Sequence, residues 1–235
     1  MDMICKTARS SGLPQYKWED YDRTFKVAYL IANFAFPDKW PSTNRREEIR
    51  KDTRIKTTVG IHPRLVNLEG KKGVERWLKD LDILAGARRV VAIGVCGLDS
   101  TDRPSSIELQ HPSSTFEAQL KVAKKRNLLV VIHCRGDQRI QSLCLDILSN
   151  NLSTDHSIHW HCFNSSLEEY KTKKLAFKNS KFGISPFLLK DNKYPDFRST
   201  VCNMALSDLL LKTDSLYLSP SKRVPATPLL LREIL

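Results

Sequence analysis

The chain has 235 residues, a net charge of +12, 41% hydrophobic residues and 27% charged residues, a balance ordinary for a folded soluble domain and long enough for one α/β barrel or two small domains. No apolar run approaches the ~20 residues of a membrane helix, and MDMICKTARSSG at the N-terminus lacks the apolar centre of a signal peptide. The expectation is an intracellular protein, cytoplasmic or nuclear, with no membrane contact.

Residues 1–25 have no periodicity and form an expected irregular segment ahead of a single domain over 26–235. Lys26 to Phe36 is the first strand candidate, ended by Pro37 and Pro41, and a basic segment through Arg54 is expected to be helical. Thr57 to Ile61 reads as a second strand, closed by His62 and Pro63. Val74, Trp77, Leu78, Leu81 and Leu84 fall at helical spacing over Lys71 to Leu84, with Gly86 as the stop. Arg89 to Val95 is a third strand and leads into Cys96, Gly97, Leu98 and Asp99. Ser113 to Arg126 is a helix capped by Ser113 or Ser114.

Leu128 to Ile132 is an unbroken apolar run, the mark of a strand covered on both faces, and it ends in His133, Cys134, Arg135. A helix over Ile140 to Leu148 follows. Ser157 to Phe163 is a strand that sets His159 and His161 on one side of the sheet. Leu167 to Phe177 is helical, Lys181 to Ser185 a strand, Phe197 to Leu206 a helix and Leu209 to Lys212 the last strand, followed by Asp214.

Strands followed by helices predict a parallel sheet, either open and doubly wound or closed into a barrel. No Gly-x-Gly-x-x-Gly follows a strand, so dinucleotide binding has no support. Polar groups end five different strands: His62; Asp99; His133 and Arg135; His159 and His161; Asp214. A barrel mouth collects that many strand ends and one crevice of an open sheet does not. The expected fold is therefore an α/β, TIM-like (β/α) barrel, one strand short of eight.

His133, His161 and Asp214 are the metal-ligand candidates, because two imidazoles and a carboxylate suit zinc, manganese or magnesium. Arg135 is placed to hold a phosphate by a two-pronged contact. His62 is placed to orient substrate or supply a proton. A strand-end His is also a common hydrogen-bonded structural residue, and Asp99 also fits a plain turn position after Gly97.

Six cysteines, Cys5, Cys96, Cys134, Cys144, Cys162 and Cys202, form no Cys-x-x-Cys pair. Cys96, Cys134 and Cys162 read as small buried hydrophobes in a reducing compartment. The positive charge gathers at Arg45, Arg46, Arg50 and Lys51, at Lys121, Lys124, Lys125 and Arg126, and at Lys171, Lys173, Lys174 and Lys178. It points to DNA or another nucleic acid as partner, or to no more than the solvated faces of outer helices.

Several of these stretches, taken together, resemble the TatD-type metal-dependent deoxyribonucleases, in particular the animal TatD domain-containing hydrolases. Gly60-Ile61-His62-Pro63 is similar to that family's Gly-x-His-Pro-His, and Ala92 to Asp99 to its Ala-Ile-Gly-Glu-x-Gly-Leu-Asp. Gln110 to Leu120, with Phe116 and Gln119, is similar to its Gln-x-x-x-Phe-x-x-Gln-Leu helix. Val131 to Arg135 is similar to Val-Ile-His-x-Arg, His161 to Phe163 to the start of His-Cys-Phe-Thr-Gly, and Thr213 to Leu218 to Thr-Asp-Ser-Pro-Tyr-Leu.

The resemblance implies hydrolysis of phosphodiester bonds in DNA, from the 3′ end, by a metal-dependent hydrolase. It implies His133, His161 and Asp214 as metal ligands; Asp214 and His62 are the expected catalytic groups, and Arg135 and Arg64 the expected substrate-binding groups. The departures are specific. No His-x-His lies upstream of Lys26, the bridging Glu position is Val95, and the second His of Gly-x-His-Pro-His is Arg64. Thr-Gly is replaced by Asn164-Ser165, the Glu before Thr-Asp by Lys212, and the Pro after Ser215 by Leu216.

The barrel is thus expected to lack or distort its first strand and its last helix. Valine coordinates nothing, so one weak site for Mg, Mn or Zn, or none, is expected in place of two. Lys212 is expected to compete with a cation for Asp214. Activity is expected to be reduced or lost; the alternative is an inactive barrel that binds nucleic acid or protein.

Overall fold

The computed structural model describes residues 29–101, 109–189, 195–212 and Asp214. Seven strands lie among them: β1 Leu30–Phe34, β2 Ile55–Val59, β3 Val90–Asp99, β4 Leu129–Arg135, β5 Ile158–Trp160, β6 Ser180–Ile184 and β7 Leu209–Leu211. The helices are α1 Thr43–Lys51, α2 Pro63–Glu69, α3 Lys71–Ala85, α4 Gln110–Arg126, α5 Gln138–Asn151, α6 Leu167–Ala176 and α7 Pro195–Cys202. The chain divides into two compact units. The described residues of one fall within Tyr29–His161 and Thr172–Lys181; those of the other fall within Cys162–Lys171 and from Phe182 to Asp214.

In the larger unit β1 pairs with β2, β2 with β3, β3 with β4 and β4 with β5, all parallel. Parallel neighbours need a long crossover, which the intervening helices supply. The middle strands are buried on both faces, with Ala92 to Leu98 of β3 and Val130 to Ile132 of β4 out of solvent. Helix α4 covers them with fully buried Phe116, Leu120 and Ala123. Local chemistry sets the helix ends: Ser42 caps α1 by accepting from the Arg45 N–H, and Asp137 caps α5 by accepting from the Ile140 N–H.

In the smaller unit β6 pairs with β7, also parallel. Phe182 packs edge-on against Phe163 at 5.0 Å and against Tyr170 at 4.9 Å between ring centres. The Tyr170 hydroxyl donates to Asp208 Oδ2 at 3.1 Å, which satisfies a buried carboxylate.

All seven expected strands are present. Most ends shift by a residue or two, but β4 runs three residues past Ile132, and β5 stops at Trp160 rather than Phe163, which leaves His161 beyond the strand. Strand β3 departs furthest. It runs on to Asp99, well beyond the expected stop at Val95, because Gly97 adopts φ 135°. A Cβ there would strike the His133 carbonyl, so only glycine lets β3 keep pairing with β4 at that level. The expected segment 1–25 and the strand's start at residues 26–28 lie outside the described residues.

Three local expectations are corrected. Pro63 does not merely close a strand; it opens helix α2, in the first turn where a missing N–H costs nothing. Helix α4 begins at Gln110, so Ser113 and Ser114 lie inside it, and Ser114 Oγ donates back to the His111 carbonyl. Helix α7 starts earlier than Phe197, at Pro195, and ends at Cys202 before a short 3-10 turn over Leu206–Asp208.

The basic clusters are partly neutralised by neighbours on the helices. Arg45 pairs with Glu48 at 2.6 Å and Arg50 with Glu47 at 2.5 Å, while Lys125 and Arg126 both reach Asp82 at 2.9 Å. Among the described residues no helix is long and apolar enough to cross a membrane.

Candidate functional site

The larger unit gathers a polar cluster at the C-terminal ends of β2, β3 and β4. Its position starts with Gln119, a fully buried amide on α4. Its Oε1 accepts from the Ile61 N–H at 2.7 Å and its Nε2 donates to the Ile61 carbonyl at 3.2 Å. Both backbone groups left unpaired past the end of β2 are thereby satisfied, and the next residue, His62, is fixed.

The His62 N–H donates to the Ala35 carbonyl at 2.8 Å, and His62 Nδ1 caps α2 by accepting from the Arg64 N–H at 3.3 Å. Its ring stacks on Phe36 at 5.4 Å and meets the His133 ring edge-on at 4.6 Å. Burial, with the His133 ring and the cations Arg64 and Arg135 adding to it, lowers the His62 pKa from 6.5 to about 3, against the opposing pull of Asp99. His62 is thus neutral at any physiological pH.

The sign of the resulting pH dependence follows from linkage. The unfolded chain takes up a proton on this ring near pH 6.5, and the folded chain does so only near pH 3. Stability from this group is complete above pH 6.5 and falls as pH drops, by up to ~1.4 kcal/mol per pH unit. Urea unfolding of the wild type and His62→Gln between pH 7.5 and 5 should show the steeper loss in the wild type. Parallel curves would contradict it.

Asp99, at the end of β3, is the hub of the cluster, with a side chain only 1% exposed. Oδ2 accepts from His133 Nε2 at 2.8 Å and from Arg64 Nε at 2.9 Å. Oδ1 accepts from the Thr101 N–H at 2.8 Å and from the Thr101 hydroxyl. Burial alone would raise its pKa, but the hydrogen bonds from His133 and Thr101 outweigh it and hold the carboxyl well below its usual range. Asp99 is therefore an anion, and His133 Nε2 carries the hydrogen. The turn reading of Asp99 is half right: one oxygen makes the turn with Thr101, and the other holds His133 and Arg64.

Arg64 is anchored rather than loose, with Nη2 donating to Thr101 Oγ1 at 3.0 Å, yet its side chain is 47% exposed. Arg135 is exposed at the end of β4, and its carbonyl accepts from the Ser100 N–H at 2.8 Å. Where the resemblance expects a bridging Glu, Val95 packs into an apolar cluster with Ala35, Ala92 and Val131. The His159 and His161 rings meet edge-on with centres 6.1 Å apart, but β5 ends at Trp160, so His161 does not share the strand with His159 as expected.

The smaller unit holds a second cluster. Cys162 Sγ donates to Asp214 Oδ2 at 2.5 Å. Lys212 Nζ lies 2.6 Å from Asp214 Oδ1 and 3.0 Å from Cys162 Sγ. The expected competition of Lys212 for Asp214 is thus present as a direct ion pair. Cys162 is not the plain buried hydrophobe its sequence suggested, although burial, against the opposing pull of Lys212, raises its pKa to about 11. Cys96 does fit that description, fully buried, whereas Cys134 is only half-buried and its Sγ donates to Gln141 Oε1 at 3.3 Å.

Comparison with known proteins agrees with this architecture. The TatD related DNase family model matches residues 20–235. The 3'-5' ssDNA/RNA exonuclease TatD of Yersinia pseudotuberculosis is 31% identical over 164 residues, 70% of this chain and 59% of that protein. The human 3'-5' RNA nuclease TATDN2 is 26% identical over 76% of this chain and 22% of its own length. The chain thus spans about three fifths of the bacterial relatives it matches. In structure, the TatD homologue YJJV of Escherichia coli superposes with a TM-score of 0.68 at 20% identity, over 92% of this chain and 82% of that one. That likeness shows the α/β, TIM-like barrel fold.

Proposed function

Because this chain belongs to the TatD related DNase family, we propose that it is a metal-dependent hydrolase of phosphodiester bonds in DNA, working from the 3′ end with reduced turnover. The observation that carries the reading is the Asp99–His133 hydrogen bond at 2.8 Å. Ligating histidines characteristically donate their second ring N–H to a carboxylate, which fixes the tautomer and leaves the other nitrogen to the ion. His133 Nδ1 is that other nitrogen.

The donor set suits one divalent ion, Mg, Mn or Zn, and not two, since Val95 lies among apolar side chains. The resemblance implies His133, His161 and Asp214 as its ligands. Such an ion lowers the pKa of a bound water and polarises a phosphoryl oxygen. The rest of the work falls to the chain itself. Arg64 and Arg135 bind the phosphate of the substrate, with Arg64 kept in place by Asp99 and Thr101. His62, neutral and stacked on Phe36, orients the substrate through its hydrogen-bearing nitrogen. Asp214 takes the proton of the attacking water.

The test is shortening of 5′-labelled single-stranded DNA with Mg, Mn or Zn. Slow loss from the 3′ end, abolished by a chelator and by His133→Ala, is expected. No shortening above the protein-free blank with any of the three ions would overturn the proposal.

A second reading, a binding module without turnover, is favoured by one observation, the Lys212 ammonium seated on Asp214. It expects DNA binding that survives a chelator and weakens steeply between 50 and 200 mM salt. Affinity indifferent to salt would count against it.

A further inference from the structure

The Cys162, Lys212 and Asp214 cluster has a chemistry that hydrolysis does not use. A thiol and a primary amine lie 3.0 Å apart, and one carboxylate touches both: Oδ2 the sulfur at 2.5 Å, Oδ1 the nitrogen at 2.6 Å. The backbone holds the arrangement in an unusual form. Cys162 and Asp214 both adopt left-handed conformations, φ 50° and 49°, which cost energy in non-glycine residues and concentrate where side chains are held for a purpose. Lys212 is 13% exposed and Asp214 20%, so the amine is held in place, and the sulfur beside it is half-buried rather than sealed off.

We propose that Cys162 and Lys212 form a reversible covalent crosslink when the protein meets a peroxide. In the first step Asp214 Oδ2 takes the thiol proton as Sγ attacks one oxygen of hydrogen peroxide, and passes it to the departing hydroxide. The O–O bond breaks, the sulfur is oxidised by two electrons to a sulfenic acid, and the peroxide is reduced to water. In the second step the Lys212 ammonium gives one proton to solvent by way of Asp214 Oδ1, and the Nζ lone pair so freed attacks that sulfur. The S–N bond forms, the S–O bond breaks, and the departing hydroxide leaves as a second water with a proton that passes from the amine through Asp214. One thiol, one ammonium and one hydrogen peroxide thus give one sulfenamide, two waters and one released proton.

A sulfenic acid condenses with a neighbouring nitrogen or thiol when one is in reach, and an amine held at contact distance has the advantage of a high effective concentration. The nitrogen must close from 3.0 Å to bonding distance, a movement within the freedom of the lysine stem. The bond replaces an ammonium by a neutral nitrogen and so deprives Asp214 of that cation. The crosslink is independent of the nuclease reading, because it is read from the covalent structure alone.

The experiment treats the full chain with hydrogen peroxide, alkylates the remaining thiols, digests with trypsin and maps the peptides by mass spectrometry, with and without a thiol reductant. The expected result is a crosslinked pair containing Cys162 and Lys212, lighter by two hydrogens than the separate peptides. Alkylation at Cys162 and tryptic cleavage after Lys212 should be lost together and recovered together on reduction. Lys212→Arg keeps the positive charge beside Asp214 but offers no primary amine, and should leave Cys162 oxidised without a crosslink. Wild-type Cys162 that stops at sulfenic or sulfinic acid, pairs with another cysteine, or stays fully alkylatable overturns the proposal. The wild-type map gives that answer even if the variant does not fold.

Discussion

Asp99→Ala should destabilise the fold by about 3 kcal/mol, between the ~1–3 of a stranded buried hydrogen-bond partner and the ~3–5 of a broken buried ion pair. The carboxylate is 1% exposed and serves His133, Arg64 and Thr101 at once. Arg64 can return to water when its partner goes, since it is already 47% exposed, and this keeps the cost off the upper end. His133 cannot, with only 12% of its side chain exposed. Asp99→Asn keeps the shape and an acceptor oxygen and should cost less stability, yet it removes the anion that orients His133 and should lower metal affinity or activity by roughly 10–100-fold. Urea midpoints for both variants decide the first point, and manganese titration of the Asn variant decides the second. A loss under about 1 kcal/mol in the Ala variant would mean that the cluster is not a unit.

Lys212→Glu should raise divalent-cation affinity at least tenfold, equal to about 1.4 kcal/mol of binding free energy. The substitution removes an ammonium 2.6 Å from Asp214 and puts a carboxylate at that position. Without the ion, two like charges then face each other, so the variant should be less stable when metal-free and regain stability as manganese is added. Lys212→Met separates the two contributions, because it removes the competitor without adding a ligand. Calorimetric titration with manganese reads both variants. Affinity unchanged from the wild type in both would exclude Asp214 as a ligand.

The strands were legible because their signal is local. Leu128 to Ile132 is apolar without interruption and its environment is apolar on both sides. His62, His133 and Arg135 stood out for a similar reason, as polar residues where such a run stops. Helix α2 was not legible, since proline after a strand reads as a terminator, and only the His62 cap shows that it begins a helix. Gln119 carried a visible signal, its place in the helix pattern, but nothing in the chain says that its amide holds the Ile61 backbone. Asp99 was undervalued because a turn explains an Asp after a glycine, and a turn is indeed one of its two roles.

From the residues alone came the alternation of strands and helices and the polar groups at the strand ends, both properties of short windows; the loss of a ligand at Val95 came from the resemblance to the family's motif. The tertiary structure alone decided which side chains meet. His133 finds Asp99 across 34 residues, Lys212 finds Cys162 across 50, and Val95 lands among Ala35, Ala92 and Val131. The placements of His133, Asp99 and Val95 depend on strand register, which is set by the whole packed sheet, and a one-residue slip would turn those side chains to the opposite face.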